Sequence, residues 1–237
     1  MAMFKFLKDR NRLNCFSPEV MLGTFLVEIA MAAYVFVRYK LSLTAKLVVA
    51  ILLCLAIFQA VEYKICGGNF DIYLAKIGFI AITMLPPLGL HLISRIAQVK
   101  NLIKIGYFFA GIFIFHIIFS AGAISNAVCS GNYIIFETTP YLDLPYGLYY
   151  FILLAIGMWI CIDGAFLNKK VKRRASALFW MLIGYLSFMF PMAVLYMWNR
   201  DLLWATASVM CGFAVIFAII LTFKVLSAYN KRDIRKY

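Results

Sequence analysis

The apolar residues of this chain fall in continuous stretches of about 20, separated by short polar joints, instead of alternating with polar positions. Seven such stretches follow one another, at about 18–37, 44–63, 72–94, 102–125, 145–167, 175–197 and 202–223. Each is long enough for an α-helix to cross about 30 Å of hydrocarbon. A transmembrane strand would alternate apolar and polar residues over about 10 positions, and these runs do not. The pattern predicts an all-α, polytopic membrane protein, a bundle of seven transmembrane helices. The joints leave no room for a second folded unit, so residues 1–237 are read as a single heptahelical domain.

Composition agrees with this reading. The chain is 65% hydrophobic and only 14% charged, with a mean hydropathy of +0.91. A soluble domain with those values would expose large apolar patches.

The net charge of +13 would suit nucleic acid, but the placement of the charges argues for membrane topology instead. Basic residues follow span one (Arg38, Lys40, Lys46), span three (Arg95, Lys100, Lys104) and span five (Lys169, Lys170, Lys172, Arg173, Arg174), and recur in the tail (Lys224, Lys231, Arg232, Arg235, Lys236). About 16 of the 23 lie on one side, which the positive-inside rule makes cytoplasmic. The N-terminus is then outside and the C-terminus cytoplasmic, in an inner or plasma membrane. Lys5, Lys8, Arg10 and Arg12 pull the other way, but reversing the topology would translocate "KKVKRR". Glu28 interrupts the first apolar run and no A-x-A-like site follows it, so this run is expected to be retained and not cleaved as a signal peptide. The basic side is expected to meet anionic lipid head groups.

The span ends carry helix punctuation. "FSPEV" offers Ser17 as an N-cap with Pro18 and Glu19 in the first turn. "CGGNF" and "CSGNY", at the outer ends of spans two and four, each supply a glycine able to end a helix in the left-handed conformation. Tyr63, Tyr73, Tyr133, Tyr141, Tyr146, Tyr149, Tyr196, Trp198 and Trp204 fall at the outer ends, as an interfacial belt would. In span three, "LPPLGLH" removes two backbone donors, and a kink or short unwound segment is expected near Pro86 and Pro87.

Polar groups at membrane depth are the candidate chemistry, because an ionisable residue costs about 2.5–3.5 kcal/mol at the bilayer centre. Glu28 is the deepest acid, with Thr24 one turn away. It is expected either to be held neutral or to pair with a polar group on another helix. His116, midway along span four, is the candidate partner. Gln59, Glu62 and Cys66 follow i, i+3, i+7 spacing and share one face of span two. Trp159 lies near the middle of span five, where it either packs against protein or lipid or lines a pocket. Asp163, one to two turns from the basic loop, reads as a surface carboxylate.

Cys54, Cys161 and Cys211 lie within spans, whereas Cys15, Cys66 and Cys129 share the predicted outer side, where a disulfide is permitted. Cys66 with Cys129 is the preferred pair and Cys15 with Cys66 the second. The alternative is three free thiols.

Motifs for a phosphate cradle, a nucleophile elbow or H-E-x-x-H are lacking. The seventh span carries no mid-span lysine for a retinal Schiff base, and two histidines without C-x-x-C-H make a poor haem or zinc set. No catalytic residue, metal or cofactor is therefore assigned. Cys15, Phe16 and Ser17 at the start of span one, with Gln59 and Glu62 at the end of span two, resemble small multi-pass membrane families of unknown function. Those families open on Cys-Phe or Cys-Trp followed by Ser or Asn, and carry Gln-x-x-Glu at that position. The resemblance covers the first third of the chain. It implies a helical membrane bundle and no activity.

Three functions fit these features. The first is a receptor-like sensor or transporter that binds an unidentified small molecule in an outward-facing polar pocket of Glu28, Gln59, Glu62, His116 and Trp159. The second is an intramembrane enzyme on a lipid or prenyl substrate, with Glu28 or Glu62 and His116 as acid and base. The third is a non-catalytic scaffold that assembles with a membrane-protein partner or a second copy of itself.

Overall fold

The computed structural model describes residues 18–68, 71–99, 102–120, 122–130, 133–167, 171–198 and 205–229. Among these, seven helices are long and apolar enough to cross a membrane. They are α1 (Pro18–Arg38), α2 (Leu43–Cys66), α3 (Ile72–Ala97), α4 (Leu102–Phe119), α5 (Pro140–Ile162), α6 (Lys172–Trp198) and α7 (Thr206–Ile220). Helix α5 runs on through a π-helical turn, Asp163–Leu167. Helix α7 does the same through Leu221–Val225 into Leu226–Tyr229. Helix α3 is the central one, packed against α2, α4, α5 and α6, while α1 lies against α2 and α7.

The helix ends follow local chemistry. The Ser42 hydroxyl accepts the Ala45 N–H at the start of α2, and the Asp71 carboxylate accepts the Tyr73 N–H at the start of α3. Beyond Cys66 the chain turns through Gly68 at φ +91°, a backbone state in which a side chain would be strained. The expected Ser17 cap, Cys15, Trp204 and the glycine of "CSGNY" lie outside the described residues.

Two expectations need correction. Span four was expected to continue to residue 125, but α4 ends at Phe119. Residues Ile124–Ser130 (β1) and Tyr133–Thr138 (β2) then form an antiparallel hairpin, with Cys129 opposite Ile134 and an irregularity between Ile124 and Asn126. The bundle is therefore helical with a β-hairpin capping one end. The hairpin is as apolar as a span, so hydrophobicity alone merges it with α4. Its β-branched and aromatic residues favour the extended chain.

The second correction concerns one of the two alternatives at the prolines, the short unwound segment. Helix α3 is continuous through Pro86 and Pro87 with no unwound segment. Pro87 cannot donate to the Thr83 carbonyl, and that oxygen accepts instead from the Tyr149 hydroxyl of α5 at 2.7 Å. Close approach completes the packing: a Cβ at Gly89 would collide with the Tyr185 hydroxyl, so the Tyr185 side chain of α6 seats where residue 89 of α3 lacks a side chain.

At the end opposite the hairpin, basic side chains tie helix termini together. Arg174 donates to the Gln98 side-chain oxygen at 2.7 Å, Arg173 donates to the Tyr229 carbonyl, and the Lys224 ammonium lies 5.1 Å from the Trp180 ring centre. At the hairpin end Lys76 donates to the Ile118 and Ser120 carbonyls, satisfying acceptors that the end of α4 leaves open.

Candidate ligand cavity beneath the hairpin

Cys66 and Cys129 are joined by a disulfide with their Cα atoms 5.1 Å apart, as the preferred pairing anticipated. Cys129 sits on β1 and not at a helix end, so the bridge staples the hairpin to the end of α2. That attachment turns the Cys66 face of α2 inward, and Gln59 and Glu62 turn with it: they are 2% and 1% exposed.

The hairpin covers these two residues. The Ile134 N–H on the free edge of β2 is shared between Glu62 Oε1 at 3.4 Å and the Ser208 hydroxyl of α7 at 3.3 Å. Glu62 Oε2 and Gln59 Nε2 have no hydrogen-bond partner among the described residues. Glu28 is completely buried, with both carboxylate oxygens likewise unpartnered. Helix α1 packs against α2 and α7, and these three helices carry Glu28, Gln59, Glu62 and Ser208, all buried, a polar region closed to solvent.

The other two candidate residues are elsewhere. The His116 ring packs edge-on against Tyr141 at 6.0 Å and is not hydrogen-bonded to Glu28. Trp159 is 67% exposed on the outer surface of α5.

A cavity of about 380 Å³ lies under the hairpin. Its walls are Phe79 and Ile82 of α3, Phe136 and Thr138 of β2, Tyr146, Gly147, Tyr150 and Phe151 of α5, and Ala207 and Met210 of α7. Leu142, Asp143 and Thr206 complete the lining, and the exposed Asp143 marks its mouth. Glu28, Gln59, Glu62, His116 and Trp159 are not among its lining residues. The physical reason is the hairpin: it seals the face of α2, so the open space falls between α3, α5 and α7.

The aromatic lining is contiguous. Phe79 meets Phe136 edge-on at 5.3 Å and lies 4.8 Å from Tyr146, which is 6.1 Å from Tyr150. Phe136 also leans on Phe58 of α2, one turn from Glu62, so the sealed polar region and the cavity share a wall. The Tyr146 hydroxyl is hydrogen-bonded to the Thr83 hydroxyl at 3.2 Å, and the Thr138 hydroxyl donates to Asp143. A second, smaller void of about 30 Å³ lies deeper, between Pro86, Gly89, Tyr185 and Phe217. Tyr150 and Met210 border both spaces.

The signal for this site was the run "YGLYY". Tyr146, Tyr149 and Tyr150 have i, i+3, i+4 spacing and form one helix face. Assigned to an interfacial belt by their position, Tyr146 and Tyr149 instead turn into the bundle, whereas Tyr73, Tyr141 and Trp198 are exposed as a belt requires.

No protein-family model, curated protein or solved structure matches this chain.

Proposed function

We propose that this chain is an integral membrane protein that binds a small molecule in the cavity beneath the hairpin, as a receptor-like sensor or a transporter. The observation that carries the reading is the cavity itself. A space of about 380 Å³ with five aromatic rings and a few polar groups converging at its mouth has the size and lining of a ligand pocket. The cluster of basic residues at the opposite end supports an orientation with that end cytoplasmic, where it meets anionic lipid head groups. A disulfide at the hairpin end supports an oxidising exterior on that side. The cavity then opens outward, and the resemblance to small multi-pass membrane families fits the bundle.

The test is ligand-dependent thermal stabilisation of the detergent-purified chain over a set of small metabolites and lipids, with Ala207→Trp as a cavity-filling variant. Compounds that raise the unfolding midpoint of the wild type should leave Ala207→Trp unmoved. Compounds that stabilise both forms equally, or a set that stabilises neither, would overturn the reading.

A further inference from the structure

We infer that the cavity's ligand is an organic cation, an amine or quaternary ammonium group on an apolar body; this rests on the binding reading above. Three features of the lining point to that chemistry.

The first is the aromatic wall. The rings of Phe79, Phe136 and Tyr146 are inclined to one another by 86° and 38°, and Tyr150 is tilted 44° to Tyr146. Rings at such different inclinations line the cavity without the two parallel walls that would stack a flat ligand. Aromatic faces carry negative potential, attract cations within about 6 Å and repel anions.

The second is the charge of the lining. Among the described lining residues there is no lysine, arginine or histidine, and Asp143 is the acid. Its carboxylate accepts from the Thr138 hydroxyl, which holds it at the mouth across from the rings.

The third is the division between polar mouth and apolar floor. Tyr150 and Met210 border both the cavity and the smaller void, while Asp143 is exposed, which suits a ligand charged at one end and greasy at the other. The opposing term is the partial positive charge, about half an elementary charge, at each of the N-termini of α5 and α7. Asp143 in the first turn of α5 offsets the nearer dipole, and the ring faces then set the sign.

The experiment uses the full chain in detergent and three probes that share a phenethyl body, measured by isothermal titration calorimetry. They are phenethyltrimethylammonium, its neutral carbon isostere (3,3-dimethylbutyl)benzene, and the anion 3-phenylpropionate. The cation should bind about tenfold or more tightly than either other probe. In Asp143→Asn, whose site is exposed and whose fold circular dichroism can check, affinity for the cation should fall about fivefold or more, with the neutral probe unchanged. Equal or tighter binding of the neutral or anionic probe overturns the inference and leaves the cavity reading standing. Binding of none of the three overturns the inference too. If the compounds that stabilise the wild type stabilise Ala207→Trp equally, the cavity reading itself has failed.

Discussion

The Tyr149 hydroxyl donates to the Thr83 carbonyl at 2.7 Å, replacing the donor that Pro87 takes from the α3 ladder. One side chain of α5 thereby repairs a backbone defect in α3, and the repair fixes the spacing of the two helices that form the cavity wall. Thr83 is itself completely buried, so its carbonyl has no solvent to turn to. Tyr149→Phe should cost about 1–3 kcal/mol, the penalty of a buried polar group left unpaired. Pro87→Ala restores an N–H in the ladder, so in that background Tyr149→Phe should cost much less. Equal costs in both backgrounds, read from thermal or denaturant unfolding in detergent, would contradict the repair.

The Cys66–Cys129 bridge closes a long loop between α2 and the hairpin, and its loss should lower stability by about 2–4 kcal/mol. Non-reduced peptide mapping should recover the two cysteines joined. Reduction should then lower the unfolding midpoint of the wild type but not of Cys66→Ser. Alkylation of Cys66 in the absence of reductant would show that the staple is not there.

The Ile134 N–H has two acceptors, Glu62 and Ser208, so neither alone should be indispensable. Glu62→Gln keeps an acceptor oxygen, and Ser208→Ala leaves Glu62 in place. Each should change stability by less than about 1 kcal/mol. Glu62→Leu combined with Ser208→Ala strands the donor and should cost about 1–3 kcal/mol, with faster amide exchange in β2. Additive losses would mean that the two groups do not share the N–H.

Glu62, Cys66 and Gln59 were legible as one inward face because helical spacing fixes direction and the cysteine supplied a neighbour. The seven helices were legible because long apolar runs admit few other structures. The hairpin was hidden by its own hydrophobicity, although Ser130-Gly131-Asn132 ahead of "YIIFET" carries a turn signal followed by strand-favouring residues. The cavity was not legible, because Phe79, Phe136, Tyr150 and Met210 come from four elements and meet only once the hairpin folds over the bundle. Deep acids drew attention by their insertion cost, yet Glu62 is sealed beneath the hairpin and Glu28 is buried on α1, and neither lines the open space.

Trp159, at 67% exposure, lies on the outer surface of a helix long and apolar enough to cross a membrane, where lipid is its expected neighbour. Trp159→Phe should therefore leave stability within about 0.5 kcal/mol and leave ligand binding unchanged. In a variant retaining Trp159 as its sole tryptophan, reconstituted in bilayers with brominated acyl chains, its fluorescence should be strongly quenched. Emission insensitive to bromine would put the ring against protein instead.

Glu28 presents the sharpest energetic conflict. It is completely buried on α1, and neither oxygen has a hydrogen-bond partner among the described residues. Such a group lowers stability relative to an apolar residue of similar volume, since its desolvation is not recovered. Glu28→Leu should raise the unfolding midpoint, and Glu28→Gln should do so less, because an amide keeps part of the polar cost. A lower midpoint for Glu28→Leu would mean that the carboxylate has partners that stabilise it, such as enclosed water. If the midpoint rises, the acid persists at the expense of stability, and the enclosed polar region of α1, α2 and α7 is then held for function and not for folding.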